Sequence, residues 1–267
     1  MKITKELENS IRDISNTALL LCEKGWAEKN AGNISINITD AIQEVNVKQK
    51  KSRSYKSEFL NLRGQSLLVT LSGSRMRDVA VNPLSNLCII HFDKRNPKYN
   101  VLFFRSGILL PPTTELPTHL AIQNLLRQFG AKQKAFIHTH PTELIALSHT
   151  KEYSQKDFLN NLLWSMIPES VIINPNGIAI VPYLIPGSNE IALETVKALE
   201  LHDVVLWAKH GCSAIGHTVE DAFDKIDVAN KCAQIYLTCK NAGFIPEGLS
   251  LNDIEQLRKV FLSFREL

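Results

Sequence analysis

The segment Ala135-Phe136-Ile137-His138-Thr139-His140-Pro141 ends a short apolar run with two imidazoles one residue apart. Side chains at i and i+2 of a β-strand leave the same face, so His138 and His140 are expected side by side at a strand end. Pro141 has no N–H to extend a ladder and closes the strand there. Neutral imidazoles suit a transition metal, zinc first, with nickel, copper or iron as alternatives. Two ligands are too few for such a site. His210 follows the apolar run 204–208, precedes Gly211, and offers a third. Three imidazoles around an open position form a catalytic-metal arrangement, while a hydrogen-bonded structural pair is the other reading of His138 and His140. His119 is a further ligand by residue type. Four residues after Glu115 on a predicted helix, it reads better as a surface histidine. His91, His149 and His202 read as ordinary surface or core residues.

Glu115 follows Thr113 and Thr114 and precedes a helix opened by Pro117. A helix start carries unpaired N–H groups and favours an anion. The two threonines either cap that helix or hold a phosphate. Two polar turns could serve the same anion. Asn30-Ala31-Gly32-Asn33 offers amides and a close backbone approach, and Ser72-Gly73 offers a hydroxyl; each alone is also a common turn. Neither is a Walker loop, which needs Gly-Lys-Ser/Thr at fixed spacing. Ala31 would be strained if its position required a positive φ.

Elements must carry these groups to one point. Ile3, Leu7, Ile11, Ile14, Ala18 and Leu21 recur in steps of three and four, which predicts an amphipathic opening helix. Ile34, Ile36 and Ile38 alternate with polar residues, which predicts a half-buried strand. Further strands are expected over 66–71, 87–92, 101–105, 135–138, 178–181 and 204–208. Helices are expected over 116–129 and 189–201, and from a Thr218 cap to about Lys240. Short loops between neighbouring strands demand antiparallel pairing, and helices fall between the later strands. The expectation is one α/β domain over 1–267, its mostly antiparallel central sheet covered by helices.

The bulk numbers narrow the function classes. The chain has 267 residues, 44% hydrophobic and 21% charged, long enough to bury a core without covalent staples. A net charge of +3 makes the whole molecule a poor magnet for nucleic acid or anionic membrane. The one basic run, 47–58, has no aromatic beyond Tyr55 and reads as a solvated loop or hairpin tip rather than a nucleic-acid patch. Five cysteines without a CxxC pair suggest reduced thiols. The opening residues are charged throughout, unlike a signal peptide, and no stretch approaches the roughly 20 apolar residues of a membrane span. A cytoplasmic location is expected.

Taken in order, GWAEKNAGNISI, VTLSGSRMRDVAVNPLSNL, PTTELPTH, FIHTHPTELIALSH, PNGIAIVPYLIPGSNEI and VVLWAKHGCSAIGHTVEDAFDKID resemble the class II aldolase/adducin family. The resemblance runs from about Gly25 to Ile235 and implies an α/β/α sandwich. It also implies one zinc ion on His138, His140 and His210, and a catalytic role for Glu115. Phosphate binding falls on Asn30, Gly32, Asn33, Ser72, Gly73, Thr113 and Thr114. Glu169 matches a second acid supplied across a subunit interface of a homotetramer. The implied reaction is reversible aldol cleavage of a sugar phosphate, L-rhamnulose 1-phosphate, to dihydroxyacetone phosphate and L-lactaldehyde. L-Fuculose 1-phosphate cleavage, pentulose-phosphate 4-epimerisation and a non-catalytic adducin-like module stay open as alternatives. Asn-Ala-Gly-Asn stands here where the family has Asn-Gly-Gly-Asn.

Overall fold

Two apolar periodicities build the molecule. Steps of three and four give helix α1 (Lys5–Glu23), which buries Leu7, Ile11, Ile14, Ala18 and Leu21 and is capped by the Thr4 hydroxyl accepting from the Leu7 N–H. Alternation and short apolar runs give β1 (Asn33–Asn37), β2 (Lys51–Ser54), β3 (Ser66–Thr70), β4 (Leu87–Phe92), β5 (Lys98–Phe103), β6 (Ala135–Thr139), β7 (Ile178–Val181), β8 (Val204–Trp207) and β9 (Gly211–Gly216). The remaining helices are α2 (Met76–Val81), α3 (Pro83–Asn86), α4 (Leu116–Gln128), α5 (Thr142–Leu147), α6 (Lys156–Met166), α7 (Pro168–Ile173), α8 (Asn189–Leu199), α9 (Val219–Asn241) and α10 (Leu251–Leu262). The computed structural model describes residues 4–42, 51–54, 57–105, 107 and 110–262.

All nine strands form one sheet in the order β2-β5-β4-β3-β1-β6-β9-β8-β7. The expectation of a mostly antiparallel sheet needs correction, because the sheet is mixed: β7 and β8 pair in parallel beside antiparallel neighbours. The connection between them contains α8, and a crossover helix returns the chain to the same end of the sheet, as parallel pairing requires. Helices cover both faces. On one face α1, α2, α5, α6 and α9 share a core with Ile34, Ile36, Leu68, Ile137 and Ala214. On the other, α4 and α8 pack on Phe136, Val205, Trp207 and Ile215, and the turn around Phe59 and Leu62 covers Leu67, Val69 and Ile90.

That second layer overturns the reading of β1 as half-buried. Every residue of β1 is buried, the isoleucines against the α1 and α9 side, with Asn33 and Ser35 bonded to His119 of α4. β9 is an unexpected strand. Its Gly-Cys-Ser-Ala-Ile-Gly sequence has small residues and little β-propensity, yet all six positions are buried between β6 and β8. The basic run is only partly a loop, since Lys51–Ser54 pairs with β5 as an edge strand; residues 47–50, 55 and 56 lie outside the described residues. Among the described residues no helix is long and apolar enough to cross a membrane, and all five cysteines are free thiols.

The far edge of the sheet is closed by a side chain. Asn160 of α6 accepts from the Ile178 N–H at 2.8 Å and donates to the Ile178 carbonyl at 3.0 Å, standing in for a missing strand. Gly177 leaves room for it, since a Cβ there would meet the Asn160 amide at 2.5 Å. Asn160→Ala strands a buried donor and acceptor and is expected to cost about 2–4 kcal/mol, read as a lowered urea midpoint with unchanged slope. An unchanged midpoint would show that the edge needs no such partner.

Candidate metal centre and its carboxylate

The three histidines expected at strand ends converge. Their ligand atoms lie within 4.8 Å of one another, and ring centroids are 4.9, 5.2 and 5.4 Å apart. Backbone register delivers them. In β6, Phe136 and His138 face the α4 side, and His138 pairs with Asn33 of β1 and with Ser213 of β9. His140 lies just beyond the strand, its N–H donated to the Trp26 carbonyl at 3.0 Å; that carbonyl also accepts from the Thr139 hydroxyl at 2.7 Å. His210 occupies the tight turn between β8 and β9, not the end of a lone strand. Lys209 adopts φ +62° there, and its N–H is held by the Ser148 hydroxyl at 2.8 Å. Gly211 makes the approach possible: a Cβ would lie 2.6 Å from His138 Cε1 and 2.8 Å from His140 Cδ2.

Partners on the outer nitrogens orient two of the rings. His138 Nδ1 faces the Cys212 carbonyl at 3.1 Å and the Ser213 hydroxyl at 3.2 Å, and its ring stacks on Trp207 at 4.3 Å. His140 Nδ1 faces Glu28 Oε1 at 2.6 Å. Each contact leaves Nε2 to point inward, the pattern in which outer partners set the tautomer of metal-binding histidines. His138 Nε2 is buried without a partner, and so is His210 Nδ1. Orphaned buried imidazole nitrogens are costly unless a ligand takes them. Burial also pushes the His138 pKa far down and the His210 pKa to about 4, assisted in both by neighbouring His140, so both rings stay neutral and able to ligate. The donor set fits a divalent cation.

Glu115 faces this cluster. Its Oε2 lies 3.9 Å from His138 Nε2 and its Oε1 lies 4.0 Å from His210 Nε2. These gaps are too wide for hydrogen bonds, and neutral rings form no ion pair. The carboxylate is 8% exposed. Burial raises its pKa, opposed by a hydrogen bond from Asn33 Nδ2 to Oε2 at 2.9 Å and by His140. Thr113 does not cap α4; its hydroxyl accepts from the Glu115 N–H at 3.3 Å and fixes the acid before the helix starts.

His119 corrects the surface reading. It is fully buried, with Nε2 2.6 Å from Asn33 Oδ1 and Nδ1 2.8 Å from the Ser35 hydroxyl. Helical spacing from Glu115 was visible in the sequence, but the cover that β1 supplies was not. Glu28, Ser35 and Trp207 were also missed, since they meet the histidines only once distant segments pack together.

The candidate anion turns reach Glu115 through Asn33 and Thr113. Ser72 N–H donates to the Pro111 carbonyl at 2.8 Å and Thr113 N–H to the Thr70 carbonyl at 3.0 Å, which ties the Ser72-Gly73 turn to Thr113 and Thr114. A Cβ on Gly32 would lie 3.2 Å from the His138 carbonyl and 3.8 Å from Met76, so the Asn30–Asn33 turn passes close to both. Positive φ falls on Lys29 and Gly32 rather than Ala31, so alanine is tolerated there. Asn30, Ser72 and Thr114 keep accessible surface, while both ends of the Asn33 amide are engaged by Glu115 and His119. Glu169 is exposed on the first turn of α7, away from the strands that carry the histidines.

Comparison with known proteins identifies the family of the chain. Residues 12–237 match the family Class II Aldolase and Adducin N-terminal domain. A rhamnulose-1-phosphate aldolase of Bacteroides thetaiotaomicron is 38% identical over 96% of this chain and 95% of its own. One from Mannheimia succiniciproducens is 31% identical over 89% of each. The crystal structure of a sugar-phosphate aldolase from Thermotoga maritima superposes with a TM-score of 0.77 at 34% identity, covering 91% of this chain and 99% of that one. The chain belongs to the class II aldolase and adducin family and is a class II aldolase, a carbon–carbon lyase.

Proposed function

We propose that this single-domain chain cleaves L-rhamnulose 1-phosphate reversibly to dihydroxyacetone phosphate and L-lactaldehyde, using one zinc ion on His138, His140 and His210. The observation that carries the reading is a buried carboxylate 3.9 Å from the orphaned Nε2 of neutral His138 and 4.0 Å from Nε2 of neutral His210, about one cation's width away. The relatives of matching length named for this reaction supply the choice of substrate. Bound there, a divalent cation would act as a Lewis acid, drawing charge from the substrate oxygens as the carbon–carbon bond breaks.

The chain's own residues do the rest. Glu115 takes up and returns the proton at the dihydroxyacetone phosphate carbon. Burial makes it a stronger base than an exposed carboxylate, and Asn33 keeps Oε2 an acceptor. Asn30, Gly32, Ser72, Gly73, Thr113 and Thr114 anchor the phosphate through amides, hydroxyls and backbone, with Asn33 closing that turn. Holding the unreactive phosphate places the bond to be broken against Glu115 and the histidines. Glu169, exposed on the first turn of α7, acts on a neighbouring copy's site in a homotetramer. The setting is cytoplasmic.

His140→Ala is expected to lose bound zinc and activity together, and elemental analysis checks it; wild-type stoichiometry would strike His140 from the ligand set. Glu115→Gln should keep metal yet slow proton exchange on dihydroxyacetone phosphate about 10²- to 10⁴-fold. Normal exchange by that variant would clear Glu115 of the role. A panel of ketose 1-phosphates on zinc-loaded protein should release dihydroxyacetone phosphate fastest from L-rhamnulose 1-phosphate. Preference for L-fuculose 1-phosphate would reassign the sugar, and a rearranged pentulose phosphate without release would reassign the reaction.

A further inference from the structure

Beneath the carboxylate runs a buried row of polar side chains: Glu115, Asn33, His119, Ser35 and Gln123. All five are buried, and they are contributed only by β1, α4 and the residue before α4. Their donors and acceptors permit one orientation. At one end, Gln123 Nε2 lies 3.0 Å from the Lys134 carbonyl, which can only accept; the same nitrogen is 3.3 Å from Ser35 Oγ and donates to it too. At the other end, the Glu115 carboxylate accepts from Asn33 Nδ2, so Asn33 Oδ1 must face His119. That oxygen can only accept, which puts the imidazole proton on Nε2. Nδ1 is then the acceptor for the Ser35 hydroxyl proton. Every bond donates toward Glu115.

We infer that His119 is a positioning residue: locked as the Nε2–H tautomer by Ser35 and Gln123, it fixes the Asn33 amide so that Glu115 Oε2 is held as an acceptor and Oε1 alone carries the proton. Without a donor at His119 Nε2, the Asn33 amide is free to turn over and present its carbonyl oxygen to the carboxylate, which repels the charged form. Both Glu115 oxygens would then lose their distinct surroundings. Burial pushes the His119 pKa down to about 3, so the ring stays neutral and its two nitrogens keep opposite roles. The edge of its ring also meets Phe136 at 4.8 Å between centroids, which limits its rotation. Nothing in this row needs to ligate a cation. His119 acts through Asn33 on the carboxylate.

The inference rests on the proposed proton role of Glu115, and the test separates the two. Zinc-loaded full-length wild type, His119→Phe, His119→Gln and Ser35→Ala are compared for exchange of the dihydroxyacetone phosphate C–H with deuterated water, KM for that ligand, and metal content. His119→Phe should exchange about 10- to 100-fold more slowly, with KM and zinc content unchanged, as loss of a partner that orients a functional group does. His119→Gln puts an amide donor where Nε2–H stood and should recover most of the rate. Exchange that is undiminished in His119→Phe overturns the inference and leaves the reaction standing, and so does parallel loss of rate, KM and zinc without rescue by Gln. Wild type that does not exchange overturns the reaction and the role of His119 in it. Should His119→Phe fail to fold, ¹⁵N-histidine NMR of the wild type decides: the Nε2–H tautomer is expected across the neutral range, while an Nδ1–H signal reverses the row and ends the proposal. Ser35→Ala should admit the second tautomer and slow exchange less than Phe does.

Discussion

The antiparallel register of β1, β6 and β9 is the constraint on which the site depends. Asn33 opposes His138, and His138 opposes Ser213, so three neighbouring strands deliver their polar side chains to one spot. A slip by one residue would turn each set to the other face. There Ile34, Ile36, Ile137 and Ala214 fill the larger core, and an imidazole would have no partner. Burial on both faces makes that register strongly specified, and the apolar core thereby fixes the geometry of the polar cluster.

Around this register the polar groups divide into two kinds. Asn33, His119 and Ser35 are satisfied by one another, and such a network holds its members in a single arrangement. His138 Nε2 and His210 Nδ1 are not satisfied, although both are buried. The contrast separates groups that hold one another from groups that could take a ligand. Backbone strain follows the same division: among the described residues, the non-glycine positions with positive φ are Lys29, in the turn leading to Asn33, and Lys209, beside His210. Such conformations persist where surrounding contacts over-determine them, here the Ser148 hydroxyl on the Lys209 amide.

Electrostatics at Glu115 balances two effects. Withdrawal from water favours its neutral form, and the Asn33 amide favours its charged form. A carboxylate held between these limits is a stronger base than a solvated one while still able to ionise. The neutral rings opposite do not form ion pairs with it, so it is free to exchange a proton with whatever occupies the space between.

Residue types and local spacing singled out His138, His140, His210 and Glu115 as candidates, and the family resemblance joined them into one site. The i, i+2 placement of His138 and His140, the Pro141 stop and the helix start after Glu115 are properties of short stretches, and short-range geometry dictates them. Most strands and the three long helices were legible for the same reason, as periods of two and 3.6 in apolar residues. The buried state of His119 was not legible, because a helix face is exposed or covered according to what packs on it, and β1 is distant in sequence. Nor was β9, whose small residues form a strand only because β6 and β8 flank it on both sides. The parallel β7–β8 pair, the Glu28 contact to His140 and the hydrogen bond from Asn33 to Glu115 were likewise decided by tertiary structure. Chemistry that lies within a few residues is written locally; partnership across a sheet exists only after the register is chosen.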